Sequence, residues 1–129
     1  MIQVVAGVIK DGDRLLIAQR KKSKHQEYRW EFPGGKIEGD ETDAQALSRE
    51  LEEELNIIAT IKDQICSVNF KYPKMEVNIN AYYVEANCKK MEILEHEKIK
   101  WVKKEELLDY DLVDADVIIV HKILGRSDE

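Results

Sequence analysis

The stretch 34-GGKIEGDETDAQALSRELEEELNI-57 carries eight carboxylates in twenty-four residues, three of them consecutive at Glu52-Glu53-Glu54. It opens on a glycine pair and then turns helical. Thr42 is placed to cap a helix, and Gln45 three residues on completes a capping box. The helix is predicted to run to about Leu55. On it Ala44, Leu47, Leu51 and Leu55 share an apolar stripe roughly 80° wide, the expected core face. Glu50, Glu53 and Glu54 fall within roughly 100° of one another. Like charges at those spacings destabilise a helix by ~0.2–0.5 kcal/mol per pair. Alone, the run reads as a solvated acidic face, because Glu is a good helix former. The other reading is a divalent-cation site, since carboxylate oxygens are preferred ligands of Mg²⁺ and Mn²⁺.

The spacing of the remaining residues separates the two. From Gly35, five residues precede Glu41, and seven more precede Arg49-Glu50-Leu51; Glu52, the pair Glu53-Glu54, Leu55, Asn56 and Ile57 follow. This resembles the signature of the Nudix hydrolase family, in which a glycine stands where Asn56 stands here. A glycine past a helix end supplies the left-handed conformation, and asparagine is the next-best residue there. Asn56 is therefore expected to have positive φ and to end the helix.

The resemblance implies a Mg²⁺-dependent hydrolase, with Mn²⁺ able to substitute, that cleaves the pyrophosphate bond of a nucleoside diphosphate derivative. It implies Glu50, Glu53, Glu54 and the carbonyl of Gly34 as metal ligands. Arg49 takes the place of a family arginine that orients a ligand glutamate, and Glu41 that of a structural loop residue. Glu95, six residues before Trp101, matches a family glutamate that reaches the metals and acts as ligand or general base. The stretch 30-WEFPGGKIE-38 resembles MutT-type members, which remove damaged nucleoside triphosphates. There Arg20 and Lys36 occupy positions facing nucleotide and phosphate, though either also reads as a plain surface cation. Asp116, in 112-LVDADVIIV-120, stands where an asparagine reads the base. Ionised aspartate only accepts hydrogen bonds, which suits an exocyclic amine and can also take the N1–H and N2–H of an oxidised guanine. The segment also resembles the CTP and 5-methyl-dCTP pyrophosphohydrolase branch; as a plain residue, Asp116 would cap the last helix. Phe32, Tyr82 and Tyr83 are candidates to stack on a base, or core residues.

The expected substrate is thus an oxidised or modified nucleotide such as 8-oxo-dGTP, with CTP or dCTP the alternative. ADP-ribose and a non-cleaving nucleotide sensor follow at a distance. The box carboxylates are all present, which speaks against the sensor. The expected product pair is a monophosphate and pyrophosphate.

The rest of the chain agrees. At 129 residues it reads as one domain, 1–129, long enough for a core without staples. A net charge of -6 excludes attraction to nucleic acid polymers. No basic leader and no apolar run of about 18 residues occurs, so no membrane partner is expected and the chain reads as cytoplasmic. Cys66 and Cys88 lack metal-ligand spacing and read as buried thiols. His25 and His121 read as surface residues and His96 as an incidental loop residue. Monomer and homodimer are both open.

Residues 2–10 and 14–20 read as a hairpin about Asp11-Gly12-Asp13. Gly34-Gly35 reads as a flexible loop. Segments 57–72, 75–86 and 99–102 read as strands, 103–109 as a short helix, and 113–124 as a helix whose VIIV run could pass for a strand. The order predicts an α/β (α+β) fold, a mixed β-sheet sandwiched between α-helices.

Overall fold

Strand β1 (Ile2–Asp11) is the one around which both layers are built, in a computed structural model that describes residues 1–22 and 26–125. A turn at Gly12, with φ of 62°, returns the chain as β2 (Arg14–Gln19). Then come β3 (Trp30–Glu31), β4 (Gly34–Lys36), helix α1 (Asp43–Leu55), β5 (Ala59–Tyr72), β6 (Met75–Ala86) and β7 (Lys98–Lys103). A 3₁₀ helix (Lys104–Asp109) leads to α2 (Asp114–Ile123). His25 lies outside the described residues.

The hairpin pairs only at its base, Lys10 with Leu15 and Asp11 with Arg14. The two strands then diverge. β1 takes β6 as a parallel neighbour along Ile2–Ile9 and β4 as an antiparallel one at Val4–Ala6. β5 lies antiparallel outside β6, while β2 carries β3 and β7. The sheet is mixed, as expected.

Alternation along the strands sorts the core into two layers. Val5, Ile9, Leu16 and Val84 face α1 and pack with Leu47, Leu51 and Leu55. Ala6, Val8, Leu15, Ile17, Ile79 and Ala81 face the other way, toward Ala115, Ile119 and Val120 of α2. The VIIV run is helical because its buried residues recur at helical rather than alternate spacing. Among the described residues, no helix is long and apolar enough to cross a membrane.

Helix α1 starts and ends as the sequence requires. The Thr42 side chain accepts from the Gln45 N–H at 3.2 Å, and the Gln45 side chain accepts from the Thr42 N–H at 2.9 Å. Asn56 closes the helix at φ 53°, ψ 44°. The buried arc differs from the predicted stripe: Ala46 and Glu54 are buried, and Ala44 is exposed. Hydrogen bonds explain the shift. The Asp43 carboxylate accepts from Asn80 at 2.9 Å and from the Tyr82 hydroxyl, so the first turn presents its Asp43 side to β6.

Gly34-Gly35 is a strand rather than a flexible loop. Gly34 and Gly35 pair with Ala6 and Val5, and a Cβ on Gly34 would run into the Val5 carbonyl oxygen. The pair serves close backbone approach, not freedom of motion. Cys66 and Cys88 are half-buried rather than buried, because each lies toward the margin of its layer. His121 is also half-buried rather than on the surface.

The left-handed cap gives a direct test. Asn56→Ala should lower stability by about 1 kcal/mol in chemical denaturation, and Asn56→Gly should stay within a few tenths of the natural protein. Equal stability of the alanine and glycine variants would contradict the cap.

Candidate active site

Packing Leu47, Leu51 and Leu55 on the sheet turns Glu50 and Glu54 toward β4 and the end of β2. There a cavity of about 150 Å³ is lined by Arg20, Lys21, Glu31, Gly34, Glu50, Glu54, Glu95 and His96. Gly34, Glu50, Glu54 and Glu95, four of the expected metal ligands, thus share one wall. Glu53 does not line it. Its side chain is half-exposed, 3.4 Å from Arg49 Nη1, on the solvent side of the cluster.

Two features of this wall suit a cation. Glu54 is buried, and its Oε2 has no hydrogen-bond partner among the described residues. A buried oxygen of that kind is costly unless something else meets it. Gly35 forms the second, since a Cβ there would collide with the Glu50 carboxyl, so the glycine leaves that carboxyl its place. Among the described residues no three acidic, histidine or cysteine side chains form a finished cage. The donors are hard oxygens, of the type Mg²⁺ and Mn²⁺ prefer. Burial and then the neighbouring Glu50 carboxyl push the Glu54 pKa well above the usual carboxylate range.

Arg49 offsets the charge. Its guanidinium donates from Nε and Nη2 to both oxygens of Glu41, at 2.8 and 3.0 Å, and from Nη1 to Glu50 at 3.0 Å. Nη2 also donates to the Lys36 carbonyl at 3.1 Å, so one side chain ties the loop to the helix. The Arg49 hydrogen bonds hold the Glu41 carboxyl at about 2, well below the usual range. Glu41 Oε1 also accepts from the Glu38 N–H at 2.9 Å, the loop role expected of it.

A second cavity, about 250 Å³, opens beside the first and shares Arg20, Glu31 and Gly34 with it. Phe32, Tyr72, Ile79 and Asp116 are among its walls, and Lys36 stands exposed at its edge. Asp116 is buried in the first turn of α2, which Val113 caps, so it is not the helix cap. Its Oδ2 accepts from the Phe32 N–H at 2.8 Å. Burial, then the nearby Glu31 charge, pushes its pKa up to about 8.

The aromatic candidates divide. Phe32 lines this cavity, but Tyr82 bonds Asp43 on the α1 side, and Tyr83 lies under Lys10 at another depression. Tyr72, which strand alternation alone does not single out, lines the cavity instead. His96 is not incidental. It is buried, with Nε2 2.8 Å from Glu31 Oε2. Glu31 itself follows from the alternation of β3, which sends Trp30 into the core and Glu31 to the seam between cavities.

Comparison with known proteins identifies the family. A family model described as NUDIX domain matches residues 4–122. The chain is 36% identical over 125 residues to the CTP pyrophosphohydrolase of Escherichia coli K12, covering 97% of this chain and 93% of that protein. It is 30% identical over 128 residues to the 8-oxo-dGTP diphosphatase of Haemophilus influenzae, covering 98% and 94%. The solution structure of the Escherichia coli ORF135 protein superimposes with a TM-score of 0.85 at 34% identity, over 97% of this chain and 89% of that one. With Glu50 and Glu54 of the box on one cavity wall and the family match spanning most of its length, the chain belongs to the Nudix hydrolase family.

Proposed function

We propose that residues 1–129 act as one Nudix domain, a Mg²⁺-dependent pyrophosphohydrolase that converts oxidised or modified nucleoside triphosphates, such as 8-oxo-dGTP, to a monophosphate and pyrophosphate. Nudix hydrolases use divalent metal ions and act on small nucleotide substrates. The observation that carries the reading is the seam: an acidic cavity adjoins a half-apolar cavity, with Arg20, Glu31 and Gly34 common to both. A nucleotide laid across it has its base near Phe32 and Asp116 and its phosphates near α1.

Gly34, Glu50, Glu53, Glu54 and Glu95 would hold the ions, Glu53 from the solvent side. When bound, Mg²⁺ supplies a water of lowered pKa and screens phosphate charge. The chain's own groups do the rest. Arg49 keeps Glu50 aimed. Glu95, exposed at the mouth of the acidic cavity, accepts the proton of the attacking water. Arg20 and Lys36 stand where they can meet phosphate or base oxygens.

Asp116 favours a second reading, hydrolysis of CTP or dCTP. With Oδ2 taken by the Phe32 N–H, the ionised group offers Oδ1 as an acceptor for the cytosine amine. The neutral group offers a hydroxyl donor there, which suits a carbonyl such as O6 of 8-oxoguanine. Its pKa of about 8 puts both forms within reach near neutrality.

Purified protein with Mg²⁺ should release pyrophosphate from members of a panel of 8-oxo-dGTP, dGTP, CTP, dCTP and 5-methyl-dCTP, and none after EDTA treatment. No release from any member would reject the proposal. Glu53→Gln should lower kcat at least about 100-fold with an unchanged unfolding midpoint, because the side chain is half-exposed. Normal turnover in that variant removes Glu53 from the metal set. The ratio of kcat/KM for 8-oxo-dGTP over CTP should fall as pH rises from roughly 7 to 9, as Asp116 loses its donor. Asp116→Asn should flatten that change, and an equally steep slope in the variant would assign it to another group.

A further inference from the structure

We propose that His96 is a positioning residue that sets Glu31, and through it Arg20, at the seam between the two cavities. The Glu31 carboxylate is held from both sides: Oε1 accepts from Arg20 Nη1 at 2.9 Å, and Oε2 lies 2.8 Å from His96 Nε2. The same His96 nitrogen is 3.7 Å from Glu54 Oε1. One imidazole therefore stands between the seam and the acidic helix.

The histidine is fixed by backbone on both flanks. The Glu92 and Leu94 N–H groups donate to the carbonyls of Leu55 and Glu54, each at 3.0 Å. On the far side the Glu97 N–H donates to the Gln19 carbonyl at 2.8 Å. The loop is stapled from the end of α1 to the end of β2, and its neighbour Glu95 points out while His96 points in. A buried polar ring with one nitrogen, Nδ1, lacking a partner among the described residues is an expensive filler. Its placement is explained by what Nε2 does. Glu31 shares the seam with the carboxyl groups of Glu54, Glu95 and Asp116, none of which holds its Oε2, so the His96 nitrogen fixes the way that oxygen faces. Without that nitrogen, Arg20 loses its Glu31 contact at the point where the nucleotide crosses from one cavity to the other. Groups that orient other functional side chains in this way are commonly worth 10–100-fold.

The inference rests on the nucleotide reading, and the test keeps the two apart. Metal-free binding of 8-oxo-dGMP and CMP is measured by calorimetry, alongside kcat and KM on the preferred triphosphate. His96→Ala should weaken monophosphate binding about 10-fold and raise KM. His96→Gln, whose amide reaches Glu31, should recover most of the loss, and His96→Asn, equally polar but shorter, should not. Glu31→Gln should cost a similar factor, and the double variant His96→Ala, Glu31→Gln should be no worse than either single one. Losses that multiply in the double variant, or wild-type binding in His96→Ala and His96→Asn, would overturn the proposal. The Gln and Asn variants carry the test if the alanine variant does not fold. Failure of the natural protein to bind either monophosphate and to hydrolyse any triphosphate would instead reject the nucleotide reading itself.

Discussion

Everything at the site depends on how closely α1 lies against the sheet. Leu47, Leu51 and Leu55 are fully buried beneath β1 and β6, and Gly7 presents no Cβ to keep them off; one there would stand 3.3 Å from the nearest Leu47 methyl. With the leucines committed to the sheet, helical geometry decides the rest. Glu54, one residue before Leu55, has to enter the interface, and Glu50, four before it, comes to the rim. The cluster of carboxylates is thus a consequence of apolar packing, held in place by a core that a few like-charge repulsions cannot displace. At ~0.2–0.5 kcal/mol per pair, those repulsions are small beside the burial of three leucines at about 1.5–3 kcal/mol each.

The second constraint is the narrow gap between the helix and β4. Gly34 lets the strand meet β1, and Gly35 leaves space for the Glu50 carboxyl. Arg49 then spans the gap from the other side, with Glu41, Glu50 and the Lys36 carbonyl all as acceptors. Its side chain is about a quarter exposed, so solvent screens these bonds in part, and their value is geometric as much as energetic. A guanidinium fork that binds both oxygens of Glu41 has little freedom left, and Glu50 inherits that rigidity.

Much of this was legible from local chemistry. The capping box at Thr42 and Gln45 and the left-handed Asn56 are short-range events, and neighbouring residues are enough to specify them. The spacing of Gly35, Glu41, Arg49, Glu50, Glu53 and Glu54 pointed to the right helix and loop. What failed to show was long-range. Ala44 and Ala46 exchange places because Asp43 bonds β6, a strand more than thirty residues away. Gly34-Gly35 reads as a loop by composition and is a strand because β1 lies within reach. His96 carries no metal-ligand spacing, and its partner Glu31 is sixty-five residues distant in the chain. Tyr72 and Tyr82 look alike along their strands, yet one lines a cavity and the other anchors a helix.

The electrostatics of the seam close the argument. The chain carries a net charge of -6, and its acidic cavity holds Glu31, Glu50, Glu54 and Glu95. A polyphosphate cannot approach such a wall unaided, because its own charges meet carboxylates at contact distance. Cations must therefore be supplied locally. Among the described residues, Arg20 and Lys21 line the acidic cavity, and Lys36 stands at the edge of its neighbour. Arg20 is already bound to Glu31, so its charge is partly answered before a ligand arrives. The balance left over falls to diffusible divalent ions, and Glu54 stands buried on the wall they would face, its Oε2 without a partner among the described residues.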